Sequence, residues 1–177
     1  MDTARARTFI RAYPIKTATA TMRALNRALT TGTATLSRLI AADMGLKVSD
    51  VKAAIKSRAA TTVTLEVRLA ASLRRLPLVQ FNAKGPMPSR GRGRGVTYRI
   101  GSQGRTRAEH AFLARMASGH VGVYKRTGPG RLPIVQLYGP SIGHVFTKHQ
   151  QAGVDAMRES FNKNLAHELD YIAKAAR

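Results

Sequence analysis

The sequence predicts an α+β fold: an antiparallel sheet covered by a long N-terminal helix and a long C-terminal helix. Three observations lead there. Apolar residues recur at three- and four-residue steps toward both ends, period-two runs fill the middle, and no helix of crossover length separates most of those runs. The 177 residues suit a single domain, 1–177, because a second independent core would be starved of apolar surface. That domain divides into a helical part at 1–58, a β-rich middle at 59–139 with a basic loop at 84–107, and a C-terminal helix at 140–177.

The first helix is expected from Ile15 to about Met44, on a stripe of Met22, Leu25, Leu29, Leu36, Leu39 and Ile40 with Arg23, Arg27 and Arg38 outside it. Gly32, inside LTTGTAT, marks a kink, and Gly45 stops the helix. Ser49 as a cap and Asp50 at the positive end of the dipole open a short second helix running to about Arg58. Thr61 to Ala70 then alternates as TTVTLEVRLA, with Val63, Leu65, Val67 and Leu69 on one face and Thr64, Glu66 and Arg68 on the other. Further strands are expected at Leu76–Phe81, Val96–Ile100, His120–Lys125 and Leu132–Tyr138, punctuated by Gly, Pro and Ser. Ala108–Ala117 fits a helical turn or a strand equally well. The closing helix is expected from about Lys148 to Ala175, with Val154, Met157, Phe161, Leu165 and Leu169 buried on the sheet or between copies, and Ile172 continuing the stripe. One heptapeptide echoes another: Arg75-Leu76-Pro77-Leu78-Val79-Gln80-Phe81 returns as Arg131-Leu132-Pro133-Ile134-Val135-Gln136-Leu137. Each copy reads as the start of an edge or neighbouring strand, with a Pro that has no N–H to pair.

The net charge is +21, from 30 Lys and Arg against 9 Asp and Glu. With 44% hydrophobic and 22% charged residues the composition is that of a packed protein, so the excess reflects missing acids. Between Val67 and Val154 the one acid, Glu109, faces fifteen Lys and Arg, a net +14. That is beyond the magnitude of about 2 to 8 that solubility asks of a small domain. Such a body repels itself until a polyanion or an acidic surface neutralises it. The run SRGRGRG, Ser89 to Gly95, is the sharpest local feature. Its glycines make the loop costly to order alone, and its guanidinium planes suit phosphate or carboxylate. Arg90, Arg92 and Arg94, extended by Arg99, Arg105 and Arg107, are the candidate partner-binding residues.

Several chemistries are excluded or disfavoured. With no Cys there is no disulfide, thiolate metal site or cysteine nucleophile. No apolar run approaches the roughly 18 residues of a membrane span. The start, MDTARARTFIRAYP, lacks the apolar stretch of a secretory signal, so the chain is expected to remain in the cytoplasm where it is made. Gly139-Pro140-Ser141-Ile142-Gly143 matches G-x-S-x-G, yet the later Asp155, His167 and Asp170 share one helix and cannot fold back onto that turn. It reads as a helix-opening turn. The five His show no metal spacing, and GRGRG has the wrong glycine spacing for a dinucleotide turn, so neither metal nor cofactor is expected. No helix-turn-helix, zinc finger or RNP strand is recognisable, so any nucleic-acid contact would be with backbone phosphate.

The stretch Lys125 to Phe146, KRTGPGRLPIVQLYGPSIGHVF, resembles the signature of the minor tail protein Z family, tail completion proteins of long-tailed phages and their prophages. The matching positions are Leu132, Pro133 and Ile134, then Leu137, Tyr138, Gly139, Pro140 and Ser141, followed by an amphipathic helix. Ala24-Leu25-Asn26-Arg27 in the first helix agrees, whereas His144 stands where the family more often has Pro. The resemblance implies a non-enzymatic virion protein of the tail neck, assembled in the bacterial host cytoplasm. It would complete the head-proximal end of the tail, help join it to the head connector and dock the DNA end. Its implied partners are further copies in a ring of six and the tail-terminator and head-connector proteins, with no membrane; non-specific contact with the DNA end stays open. Six copies would carry 126 positive charges, whereas duplex DNA presents one charge per ~1.7 Å, about 24 within a ring ~40 Å deep. Most arginines, including Arg90, Arg92 and Arg94, are therefore expected to face protein. The alternative, a non-specific nucleic-acid-binding accessory protein, rests on charge alone.

Overall fold

The computed structural model describes residues 14–87 and 95–175. The expected α+β class holds: among the described residues helix α1 spans Pro14–Met44, a short α2 spans Val48–Ala54, nine short strands follow, and α3 spans Ile142–Ala175. The strands form one three-stranded and three two-stranded sheets. They belong to two compact units. The first contains the described residues of Met1–Leu36, Ile55–Ala70 and His149–Arg177, and the second contains those of Ser37–Ala54 and Ala71–Lys148.

In the first unit α1 lies against α3 along small residues. Ala20, Ala24, Ala28, Gly32 and Leu36, each four positions on, are buried, forming an i±4 ridge low enough for the neighbouring backbone to approach. Glycines on both helices make room for the other's side chain. A Cβ at Gly32 would overlap Met157 Cγ, and one at Gly153 would lie 2.6 Å from Leu36 Cγ and Cδ1. Gly32 is therefore a socket in an uninterrupted helix rather than a kink. The stripe expected from the larger residues is displaced accordingly: Met22, Leu25 and Leu39 are half-buried. On α3, Ile172 is buried, and Val154, Met157, Phe161, Leu165 and Leu169, expected to be buried on the sheet or between copies, are half-buried within the single chain.

Polar side chains tie this pairing down. Glu168 is 6% exposed and takes Arg23 at 3.5 Å and Arg27 at 3.1 Å, while Arg27 also donates to Asn164 Oδ1 at 3.3 Å. A carboxylate this buried is tolerated because two guanidiniums meet it. Asn26 acts as a surrogate strand: its Nδ2 donates to Ala60 O at 3.1 Å and its Oδ1 accepts the Ala60 N–H at 2.8 Å. This satisfies both backbone groups of a buried residue.

Strands β1 (Ile55–Arg58) and β2 (Arg68–Ala71) pair. The short helix expected to reach Arg58 stops at Ala54, because Ile55 is buried in the strand that follows. The strand expected over Thr61–Ala70 is confined to Arg68–Ala71. Ahead of it Thr61 to Glu66 are exposed around a turn in which the Thr61 N–H donates to Thr64 O and the Thr64 N–H to Thr61 Oγ1, both at 2.9 Å. Period-two alternation needs a partner strand, and none meets this run among the described residues.

In the second unit α1 closes as expected at Gly45, whose φ of 67° allows the Leu46 N–H to reach back to Ala41 O at 3.0 Å. Helix α2 begins one residue before Ser49, whose hydroxyl bonds Asp50 Oδ1 at 3.2 Å instead of capping. Strands β6 (Ala111–Arg115), β7 (Val121–Arg126) and β8 (Ile134–Gln136) form the antiparallel three-stranded sheet. Within 108–117, Ala111–Arg115 is thus strand rather than helix, preceded by a turn at 109–110. β4 (Val96–Tyr98) pairs β5 (Thr106–Ala108), and β3 (Arg75–Pro77) pairs β9 (Tyr138–Ser141), both antiparallel. The expected strand Leu76–Phe81 ends at Pro77 and becomes a 3-10 turn at Leu78–Gln80, while Leu132–Tyr138 divides into β8 and the start of β9. The stretch 84–107, expected as loop, contains the Lys84–Thr97 bridge and most of the β4–β5 hairpin. Ile40, Met44, Val51, Phe81, Val96, Val123 and Ile142 are fully buried in this unit.

Helix α3 starts at Ile142, six residues before the expected Lys148, because Ser141 caps it. Among the described residues no helix is long and apolar enough to cross a membrane. The socket geometry makes a prediction. Gly153→Val, which drives a branched side chain into Leu36, should lower unfolding stability by about 1 to 3 kcal/mol in urea melts; an unchanged midpoint would contradict the helix contact.

Candidate docking groove

The signature segment organises one face of the second unit. Leu137 is bound on both sides: its N–H donates to Val123 O at 2.8 Å, and its carbonyl accepts the Leu78 N–H at 3.0 Å. Gly139 lies on the Phe81 ring, where a Cβ would stand 3.0 Å from Cδ2 and Cζ. Ser141 Oγ accepts the His144 N–H at 3.3 Å, and the Gly143 N–H donates to Ser72 O at 3.0 Å. The expected helix-opening turn is what the structure contains. Upstream, Leu132 is exposed, Pro133 O accepts both the Thr127 N–H and Oγ1 at 3.2 Å, and Ile134 stands opposite Arg126.

These bonds bring the two echoed heptapeptides together. In the β3–β9 pair Arg75 lies opposite Ser141 and Pro77 opposite Tyr138. Beside it opens a groove of about 410 Å³ lined by Arg74, Arg75, Leu76, Pro77, His120, Gln136 and Tyr138, with Ala54, Ser72 and Ile142 completing it. Tyr138 donates its hydroxyl proton to Gln136 Oε1 at 3.2 Å, and Gln136 Nε2 lies 3.0 Å from His120 Nε2. The groove thus combines two cations, a hydrogen-bonded chain of polar side chains and apolar contacts, a chemistry suited to a segment bearing a carboxylate.

The arginines singled out by sequence do not assemble into one site. Arg90, Arg92 and Arg94 lie outside the described residues. Arg99 Nε donates to Gly101 O at 3.2 Å within its own turn. Arg105 Nη2 donates to Asn82 O at 2.9 Å and Thr97 O at 3.0 Å, bracing the hairpin. Arg107 is exposed on β5 opposite Thr97. Arg74, Arg75, His120 and Gln136 were not anticipated as site residues; the echoed heptapeptides pointed to Arg75 and Gln136, and nothing in the sequence pointed to Arg74 or His120. Among the described residues no group of three His, Asp or Glu side chains is placed to hold a metal. Arg105→Ala should cost about 1 to 2 kcal/mol in urea unfolding, whereas Arg107→Ala should stay within about 0.5 kcal/mol; equal effects would contradict the bracing role.

Comparison with known proteins bears on all of these elements together. No curated protein and no solved structure matches the chain. A family model, prophage minor tail protein Z (GPZ), matches residues 14–174. The match begins at the first residue of α1 and ends one residue short of the end of α3, so it includes the Asn26 clamp, the Gly32 and Gly153 sockets, the groove and the Ser141 cap. On that extent, the chain belongs to the prophage minor tail protein Z family and is a structural protein of a phage tail.

Proposed function

We propose that the chain completes the head-proximal end of the tail as a closed ring of six copies in the neck. There it helps join the tail to the head connector and dock the DNA end, and it catalyses no reaction. The family match over residues 14–174 carries this reading. The charge distribution supports the protein-facing part of it: the sequence segments 37–54 and 71–148 hold 17 Lys and Arg against Asp43, Asp50 and Glu109, so they account for +14 of the chain's +21. Lys148 already takes Asp43 at 2.8 Å. Tail-terminator and head-connector proteins with acidic faces are the partners this unit suits, and the DNA end is at most a minor one by the charge count above.

Deleting the gene from the phage that encodes it should leave DNA-filled heads and tails that fail to form infectious particles, with infectivity restored by the gene in trans. Averaged images of complete particles should show the protein as a sixfold ring between tail and head. Wild-type infectivity without the gene, or density at the far end of the tail, would overturn the reading. Ser141→Ala should cost about 1 kcal/mol of stability through the lost cap and leave infectivity within a few-fold. A hydrolytic activity of the purified protein that disappears in Ser141→Ala would refute the structural role.

A further inference from the structure

The run Thr61–Val67 has the alternation of a strand but is not one. Val63 is 93% exposed and Leu65 45% exposed, on a turn that projects Glu66 beside them. Two apolar side chains held out together on a hydrogen-bonded turn, beside a carboxylate, are available to a partner surface. Elsewhere on the same chain, the groove beside β3 has the complementary chemistry. Leu76 and Pro77 contribute apolar lining, Arg74 and Arg75 stand at it without a carboxylate partner among the described residues, and no acid lines it. Among the described residues strand β3 pairs with β9 alone.

We infer that the turn Thr61–Val67 of one copy docks in this groove on a second copy. Val63 and Leu65 lie against Leu76 and Pro77, and Glu66 lies between Arg74 and Arg75. Complementarity of charge and polarity selects this occupant: a segment offering two apolar side chains and one acid meets a groove offering an apolar wall and two unpaired cations. The contact joins different surfaces of the two copies, so the pair keeps one free turn and one free groove, and repetition makes a ring when the rotation between copies closes. The inference rests on the ring reading above and supplies its subunit contact. Glu66 is now paired with Arg68, and that guanidinium holds its carboxyl below the usual carboxylate range, so the group is charged at neutral pH. Both partners are exposed, and an exposed pair is exchanged at little cost for one shielded in an interface.

The chain has no Cys, so introduced thiols are the only ones present. Full-length Leu65→Cys and Leu76→Cys, one of them carrying a mass tag, are mixed and oxidised, and the linked species are resolved on a non-reducing gel. The 65-to-76 link between tagged and untagged chains should exceed either same-site link by about tenfold. Adding Glu66→Arg to the Leu65→Cys chain should reduce it about tenfold, and Arg74→Glu with Arg75→Glu on the Leu76→Cys chain should restore it. Mixed links no more abundant than same-site links, indifference to Glu66→Arg, or failure of the reversed charges to restore the link would each overturn the inference. A Glu66→Arg particle in which the ring still forms, with the turn seated on another virion protein, would also overturn it while leaving the ring intact. A specific 65-to-76 link in a protein absent from the neck would sustain this contact and sink the neck assignment instead.

Discussion

The close approach of α1 to α3 is the constraint on which the first unit depends. Two helices separated by ordinary side chains could not place Arg23 and Arg27 on Glu168 while also nesting Met157 at Gly32 and Leu36 at Gly153. Glycine costs about 1 kcal/mol in a helix relative to Ala, and here that cost is offset by the packing each socket permits. The helix so placed presents Asn26 to Ala60, which anchors the chain where β1 gives way to the exposed turn. Ala24-Leu25-Asn26-Arg27 thereby acquires physical roles: Ala24 in the seam, Asn26 on a backbone, Arg27 on a buried carboxylate.

The second unit depends on a different device, the segment Leu137 to Gly143. Its successive groups bond Val123 and Leu78, lie flat on Phe81, cap α3 and hold Ser72. Gly139 and Gly143 leave no room for larger residues. A Cβ at Gly143 would stand 2.6 Å from Leu73 Cδ2 and 3.1 Å from Ser72 O. The segment that most resembles the family is thus a joint between sheet and helix, and the groove is the space left beside that joint. A serine in a G-x-S-x-G frame serves here as a cap because its Oγ accepts a backbone N–H at the first turn of α3.

Positive charge in this protein has two uses. Arg99 turns its guanidinium onto Gly101 O and Arg105 onto Thr97 O and Asn82 O, and Arg126 lies 5.6 Å above the Phe112 ring. A guanidinium with five donors can brace a hairpin that is poor in side-chain acceptors. Arg74, Arg75 and Arg107 are exposed and make no such carbonyl contact among the described residues. A count of basic residues cannot make that distinction, because the same side chain stabilises a turn when carbonyls surround it and recruits a partner when none do.

The sequence by itself determined the α+β class, both long helices, the stop at Gly45 and the helix-opening turn at Ser141, because each follows from local periodicity or from the conformational limits of one or two residues. It also located the signature segment. Tertiary structure alone decided the rest, and in each instance the reason is a partner distant in the chain. Gly32 and Gly153 became sockets because in each case the opposing helix offered a side chain, Met157 or Leu36, to fill them. Thr61–Val67 stayed out of the sheets, despite its alternation, because no strand lay alongside it among the described residues. Arg74 and Arg75 came to stand at a groove with His120 and Gln136 because β3 pairs with β9, a contact between segments about sixty residues apart that no local pattern encodes.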